Sequence, residues 1–204
     1  MYGLPSTVCV HQSLPKNAFY QRLSLSAHVK DEFIHGIEGL CVVAAIKEST
    51  CGIPAADGIE EVSVLRVELK SGEVPERALA AISAAVPRKL LLVCCHSGIA
   101  QLAVVRGRLR VGVRRIAEDE LNVALAGANL AEVWEGLCAQ ALFDDASVVD
   151  VDARLAQEKR IAELEAEVAS LKRKYAKEVQ PSKRNAAFKA YRQAKAELSL
   201  LKGE

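Results

Sequence analysis

No stretch of this 204-residue chain approaches the roughly 18 uncharged residues that a membrane-crossing helix requires, and its N-terminus has neither a basic start nor an apolar signal core. Neither membrane nor secretion is expected, and the cytoplasm is the default location. No glycine-rich phosphate loop is present, and Ser97-Gly98 lacks the partner pattern of a catalytic nucleophile. The six cysteines (Cys9, Cys41, Cys51, Cys94, Cys95, Cys138) are scattered without the spacing of a disulfide framework or a zinc ribbon, and they are expected to be reduced. Cys94-Cys95-His96 together with Cys9-Val10-His11 suggests a zinc site. However, adjacent cysteines in a strand point to opposite faces, so no metal site is expected from them.

The chain also has almost no net charge, but the value of +1 conceals a split. Residues 1–150 carry 14 Lys or Arg against 18 Asp or Glu, whereas 151–204 carry 13 against 8. An acidic body is thus joined to a basic appendage. The most lopsided stretch is 172–195, where Lys172, Arg173, Lys174, Lys177, Lys183, Arg184, Lys189, Arg192 and Lys195 face a single carboxylate, Glu178. Phosphate or an acidic protein is the natural partner of such a run.

Half of the residues are apolar, enough for a core of about 150 residues. Pro15 opens a short helix carrying Phe19, Tyr20 and Leu23, and Ser26 starts a second with Val29, Phe33, Ile34 and Ile37 on one side. Strands are expected over Leu40 to Ile46 and Glu61 to Leu69, then a helix from Pro75 to Val86 stopped by Pro87. The continuous apolar run Leu90 to Cys95 suits a strand covered on both faces. Ser97-Gly98 and Arg106-Gly107-Arg108 mark tight turns around a strand from Ile99 to Val105, and Leu109 to Ile116 alternates apolar with cationic residues. A helix from about Leu130 to Phe143 closes the body. The expected class is α+β: residues 1–148 form a mixed β-sheet with helices on one face, and 149–204 form a basic antiparallel helical hairpin.

The hairpin follows from two matched seams. Ile161, Leu164, Val168, Leu171 and Tyr175 fall at steps of three and four, and Ala187, Tyr191, Ala194, Leu198 and Leu201 repeat the pattern after Pro181. Proline cannot continue the first helix but fits the first turn of the next, so the chain reverses near Gln180. The basic run therefore lies at the closed end. An ordinary solvated arm would interleave signs, as Glu163, Glu165 and Glu167 do near its base. The bland alternative is a docking or dimerisation arm kept soluble by its lysines, with Tyr175 and Tyr191 serving as core rather than as stacking platforms.

Two further constellations carry chemistry. Arg110 and Arg114 share one face of a regular strand and could track a phosphate backbone, or they could simply pair with body carboxylates such as Glu118, Asp119 and Glu120. Glu68-Leu69-Lys70, at the end of a strand that precedes a helix and another strand, matches the acidic-x-lysine core of a large nuclease superfamily. There a carboxylate holds Mg²⁺ and the lysine steadies the attacking water. Asp57, Glu60 or Glu61 would have to supply a second ligand. The competing explanation is the ordinary alternation of Glu and Lys on the wet face of a strand.

Leu14-Pro15-Lys16 leading to Phe19-Tyr20, the block Val64 to Leu69, Leu79 to Ile82 with Val86-Pro87 and Leu90 to Val93, and the hairpin block Ile161 to Leu198 together resemble the prokaryotic domain-of-unknown-function family 4391. The resemblance covers nearly the whole chain. It implies a small companion of helicase and DNA methyltransferase proteins in restriction-like, antiphage clusters, working on or near DNA. The family has no established catalytic residues to carry over, and Val43-Ala44-Ala45-Ile46-Lys47 lacks the aromatic that usually precedes lysine there.

The resulting expectation is a non-catalytic accessory subunit of a DNA-targeting defence system. It would contact DNA or RNA, or a helicase or methyltransferase partner, through Lys172, Arg173, Lys174, Lys177, Lys183, Arg184, Lys189 and Arg192, joined by Arg110 and Arg114. No cofactor is expected on that reading, and a homodimer is allowed. The alternatives are an Mg²⁺-dependent nuclease using Glu68 and Lys70, and a pure protein-interaction scaffold.

Overall fold

The computed structural model describes residues 1–17, 25–147 and 150–203. The helix expected to carry Phe19, Tyr20 and Leu23 lies outside the described residues. The chain divides into two compact units, Met1–Val149 and Asp150–Glu204.

In the first unit six strands form one sheet whose spatial order follows the sequence: β1 (Cys9–Leu14), β2 (Ile37–Lys47), β3 (Glu61–Leu69), β4 (Lys89–His96), β5 (Ile99–Arg106) and β6 (Arg108–Ala117). Every neighbouring pair is antiparallel except β3 and β4. Between these two the helix Glu76–Ala85 carries the chain back to the starting end of the sheet, as parallel pairing requires. Among the described residues the α-helices of this unit are α1 (Ala27–Gly36), a single turn α2 (Glu48–Cys51), α3 (Glu76–Ala85) and α4 (Leu130–Phe143). Ser26 caps α1 through its hydroxyl, which accepts from the Val29 amide, and Asn129 caps α4 by accepting from Ala131 and Glu132.

Strand alternation sorts the core into two layers. Leu65, Val67 and Leu69 of β3, Leu90, Leu92 and Cys94 of β4 and Leu109 of β6 join Phe33 of α1 and Ala78, Leu79 and Ile82 of α3 in one cluster. The opposite parity faces α4. A Cβ built on Gly112 of β6 would stand 1.9 Å from the Ala141 carbonyl oxygen of α4, so only glycine permits this approach. The α+β class with a mixed sheet is thus present, but the helices flank both faces of the sheet rather than one. The cause is the apolar run of β4: both faces of Leu91, Leu92 and Val93 are fully buried and each needs a cover. The expected apolar side of β6 is also incomplete, since Val113 is 86% exposed on this edge strand.

The second unit is a helical hairpin of α5 (Val151–Lys177) and α6 (Pro181–Lys202). Asp150 caps α5 by accepting from the Ala153 amide, Pro181 occupies the first turn of α6, and Gly203 closes α6 at φ +72°. Leu164, Ala187 and Ala194 are buried in the seam, and the other predicted seam residues are half-buried. Burial contributes about 1.5–3 kcal/mol for each large side chain that leaves water and less for the alanines. Cross-helix contacts staple the base: Arg160 with Glu197, Lys202 with Glu165 at 2.7 Å, and the Gln157 amide donating to the Leu201 carbonyl at 3.2 Å.

Candidate nucleic-acid interface and acidic-x-lysine site

The two ends of the hairpin differ in electrostatics. Its ion pairs, Arg154–Glu158, Lys159–Glu163, Arg160–Glu197 and Lys202–Glu165, lie toward the base. All nine cations from Lys172 to Lys195 are exposed, and among the described residues none forms an ion pair. Where these side chains have a contact, it is not with a carboxylate. Arg173 donates to the Ala169 carbonyl at 3.3 Å, and the Arg184 guanidinium lies over the Tyr175 ring, 5.2 Å from its centroid. Glu178, the lone acid of the stretch, accepts from the Gln180 amide at the turn.

Arg110 and Arg114 do share one face of β6, and it is the face that α4 packs on. Arg114 pairs with Asp144, the left-handed cap of α4, and the Arg110 guanidinium donates to the Arg106 carbonyl at 3.3 Å. Arg106 itself pairs with Glu135 at 2.5 Å. Arg106 and Arg114 are therefore held by acids of α4 and its cap, and Arg110 by a backbone carbonyl, whereas Glu118, Asp119 and Glu120 form none of these contacts.

Glu68 is the penultimate residue of β3, Lys70 follows the strand, and α3 leads on to β4. The second carboxylate near this pair is Glu38, at the start of β2. Its Oε2 is 3.7 Å from Lys70 Nζ, and its neighbour Gly39 is paired with Glu68 across the ladder. A register irregularity between Ile37 and Gly39 sets this placement. Asp57, Glu60 and Glu61 do not take the role. Glu61 opens β3, seven residues and so about 23 Å from Glu68, and it is held by Ser63 and Arg88. Lys16 reaches the same end of the sheet and donates to the Ile37 carbonyl at 2.7 Å. Burial, and then the positive charge of Lys70, lower its pKa from the usual lysine range.

Residues 2–198 match the family described as Domain of unknown function (DUF4391). The chain belongs to that family. No curated protein and no solved structure matches it.

In this DUF4391 chain a half-buried network stands behind Glu68. Arg66, two residues earlier on the same face of β3, contacts Glu68 with one guanidinium nitrogen and grips Glu118 with the other two, at 2.6 and 3.0 Å. Tyr2 donates its hydroxyl to the same carboxylate at 2.6 Å. The Arg66 hydrogen bonds, assisted by Tyr2 and opposed by burial, push the Glu118 carboxyl down to about 2. Burial and the bond to Glu118 push the Tyr2 hydroxyl up, and burial raises Cys95 beside it to about 12. Cys95 is thus an inert thiol.

The other cysteines of the DUF4391 chain do not assemble into a zinc site. Cys94 lies in the opposite core layer from Cys95, His96 contacts the Leu69 carbonyl at 3.0 Å, and His11 faces Cys41 at 3.6 Å. All six cysteines are free, and among the described residues no group of three or more potential metal-binding His, Cys, Asp or Glu occurs. Among the described residues no helix is long and apolar enough to cross a membrane. Sequence reasoning missed Glu38, Lys16, Arg66 and Tyr2, because each is brought to Glu68 or Lys70 by strand pairing or long-range packing. The E-x-K triplet was the one local signal.

Proposed function

We propose that the chain is an accessory subunit that holds nucleic acid by its phosphates at the closed end of the helical hairpin, in a DNA-targeting system of the restriction or antiphage kind. The observation that supports this reading is the set of nine exposed cations, none in an ion pair among the described residues, at one end of an arm whose other end is laced with ion pairs. Like charges on neighbouring turns repel by a few tenths of a kcal/mol per pair, and a polyanion relieves that repulsion. Sheet arginines such as Arg114 already have a carboxylate and contribute less. A helicase or methyltransferase fits as the protein that the arm serves on DNA.

The test is a salt titration of binding to a labelled duplex. Neutralising four to six phosphates gives a log–log slope of about −4 to −5, and a flat plot would remove the arm from DNA binding. A pull-down with and without nuclease treatment separates a nucleic-acid-mediated partner from a direct one.

A second reading has a specific observation in its favour, the arrival of Glu38 beside Lys70 and next to the ladder partner of Glu68. Glu38 and Glu68 are the side chains that would hold Mg²⁺, which polarises a phosphodiester when bound, and Lys70 would steady the attacking water. It predicts Mg²⁺-dependent cleavage that is lost in Glu38→Gln, Glu68→Gln and Lys70→Met while thermal melting is unchanged. No cleavage by the native chain with Mg²⁺ or Mn²⁺ sinks this reading and leaves the first intact.

A further inference from the structure

The tip of the hairpin carries more than charge. Phe188 projects from α6 with 40% of its surface in water, although a phenylalanine in an ordinary two-helix seam turns inward. It is backed by other rings: its centroid lies 5.0 Å from that of Tyr175 on α5 and 6.5 Å from that of Tyr191, nearly parallel to the latter at 29°. The two tyrosines are half-buried and fix the phenyl ring in place.

On α6 the neighbours of Phe188 one turn either way are Arg184 and Arg192, both exposed, with Arg184 also resting on the Tyr175 ring. Helical geometry sets the two guanidinium groups' backbone positions about 12 Å apart along the axis, with the phenyl ring midway. A flat apolar surface bracketed by two cations is the arrangement that takes a base on the ring and the flanking phosphates on the arginines.

We infer that Phe188, flanked by Arg184 and Arg192, is a base-stacking platform, and that the ligand class of the arm is single-stranded nucleic acid rather than duplex. This rests on the reading that the arm binds nucleic acid. In a duplex both faces of every base are covered by its neighbours, so the ring would have to unstack a base before meeting one, whereas a single strand presents its bases directly. The cations are indifferent to this distinction, and the ring is not.

The experiment uses the full chain with a labelled oligothymidylate and a labelled duplex of equal length, each titrated over a salt series. The single strand is expected to bind about ten-fold more tightly than the duplex. Phe188→Leu, which keeps an apolar side chain on the seam, is expected to abolish that preference with the salt slope unchanged. Phe188→Trp should restore it and show emission quenched by the single strand and not by the duplex. Equal affinities for the two ligands in the native chain, or a Phe188→Leu variant that keeps the preference, would overturn the inference while the phosphate-binding reading stands. A folded Phe188→Trp chain that binds the single strand without quenching would do the same. If the native chain binds neither ligand, both readings fall. Should Phe188→Leu loosen the hairpin in circular dichroism, the tryptophan quenching alone decides.

Discussion

Replacing Lys172, Arg173, Lys183 and Arg184 together by glutamate is expected to lower affinity for a duplex by a hundred-fold or more at moderate salt and to bring the salt slope from about −4 to −5 to near −1. Each lost phosphate contact removes about 0.9 from the slope, and the four carboxylates add repulsion from the polyanion. The same change should leave the hairpin folded. All four side chains are exposed, and among the described residues none contributes an ion pair. The interactions forfeited are the Arg184 contact on Tyr175, worth about 0.5–1 kcal/mol at an exposed site, and the exposed Arg173 hydrogen bond to the Ala169 carbonyl. A new acid–base pair between position 173 and Lys177, four residues on, offsets part of that loss. The same reversal made at the base, at Arg154 and Lys159, serves as the control, because those side chains already have carboxylate partners. Unchanged affinity in the tip variant, measured by anisotropy with a melting curve alongside, would end the case for the arm as the nucleic-acid contact.

The parts of the molecule that were legible in the sequence are those written in local periodicity. Pro181 between two matched seams is enough to specify the hairpin, because a proline that stops one helix also starts the next. The bounds of β3, the turn at Ser97-Gly98 and the helix stop at Pro87 are equally local. What periodicity could not supply is register. Asp57, Glu60 and Glu61 are the acids close to β3 in sequence, yet strand pairing places them at the far end and delivers Glu38 beside the E-x-K pair instead. The layer count failed for a related reason. The apolar run of β4 already required cover on both faces, but no local pattern tells which helix provides it. Phe188 is legible as an aromatic in a basic run, and only packing shows that Tyr175 and Tyr191 back it while part of it stays in water.

Arg66→Met is expected to cost about 2–4 kcal/mol of stability in the first unit, a fall in melting temperature of about 5–15 °C at neutral pH. The substitution keeps the side-chain volume along β3 but leaves the Glu118 carboxylate half-buried with Tyr2 and the weak Cys95 thiol as its hydrogen-bond donors in that network. The loss should depend on pH in a definite direction. Glu118 titrates at about 2 in the folded chain, below the ordinary carboxylate range near 4.5, so its contribution is fully present above that range and disappears as pH falls through it toward 2. The native chain should therefore lose stability on acidification across this window, and Arg66→Met should lose much less, the two melting curves converging near pH 2. Adding Glu118→Gln to Arg66→Met removes the orphaned charge and should recover a large part of the deficit, a non-additivity that a double-mutant cycle reads directly. Additive effects, or an Arg66→Met chain that melts like the native one, would mean that the network is ornamental. Because the third nitrogen of Arg66 contacts Glu68, the same variant tests the second functional reading. If Glu68 acts on a phosphodiester, freeing it from Arg66 should depress cleavage even at a temperature where the body is still folded, whereas phosphate binding at the hairpin tip should be untouched.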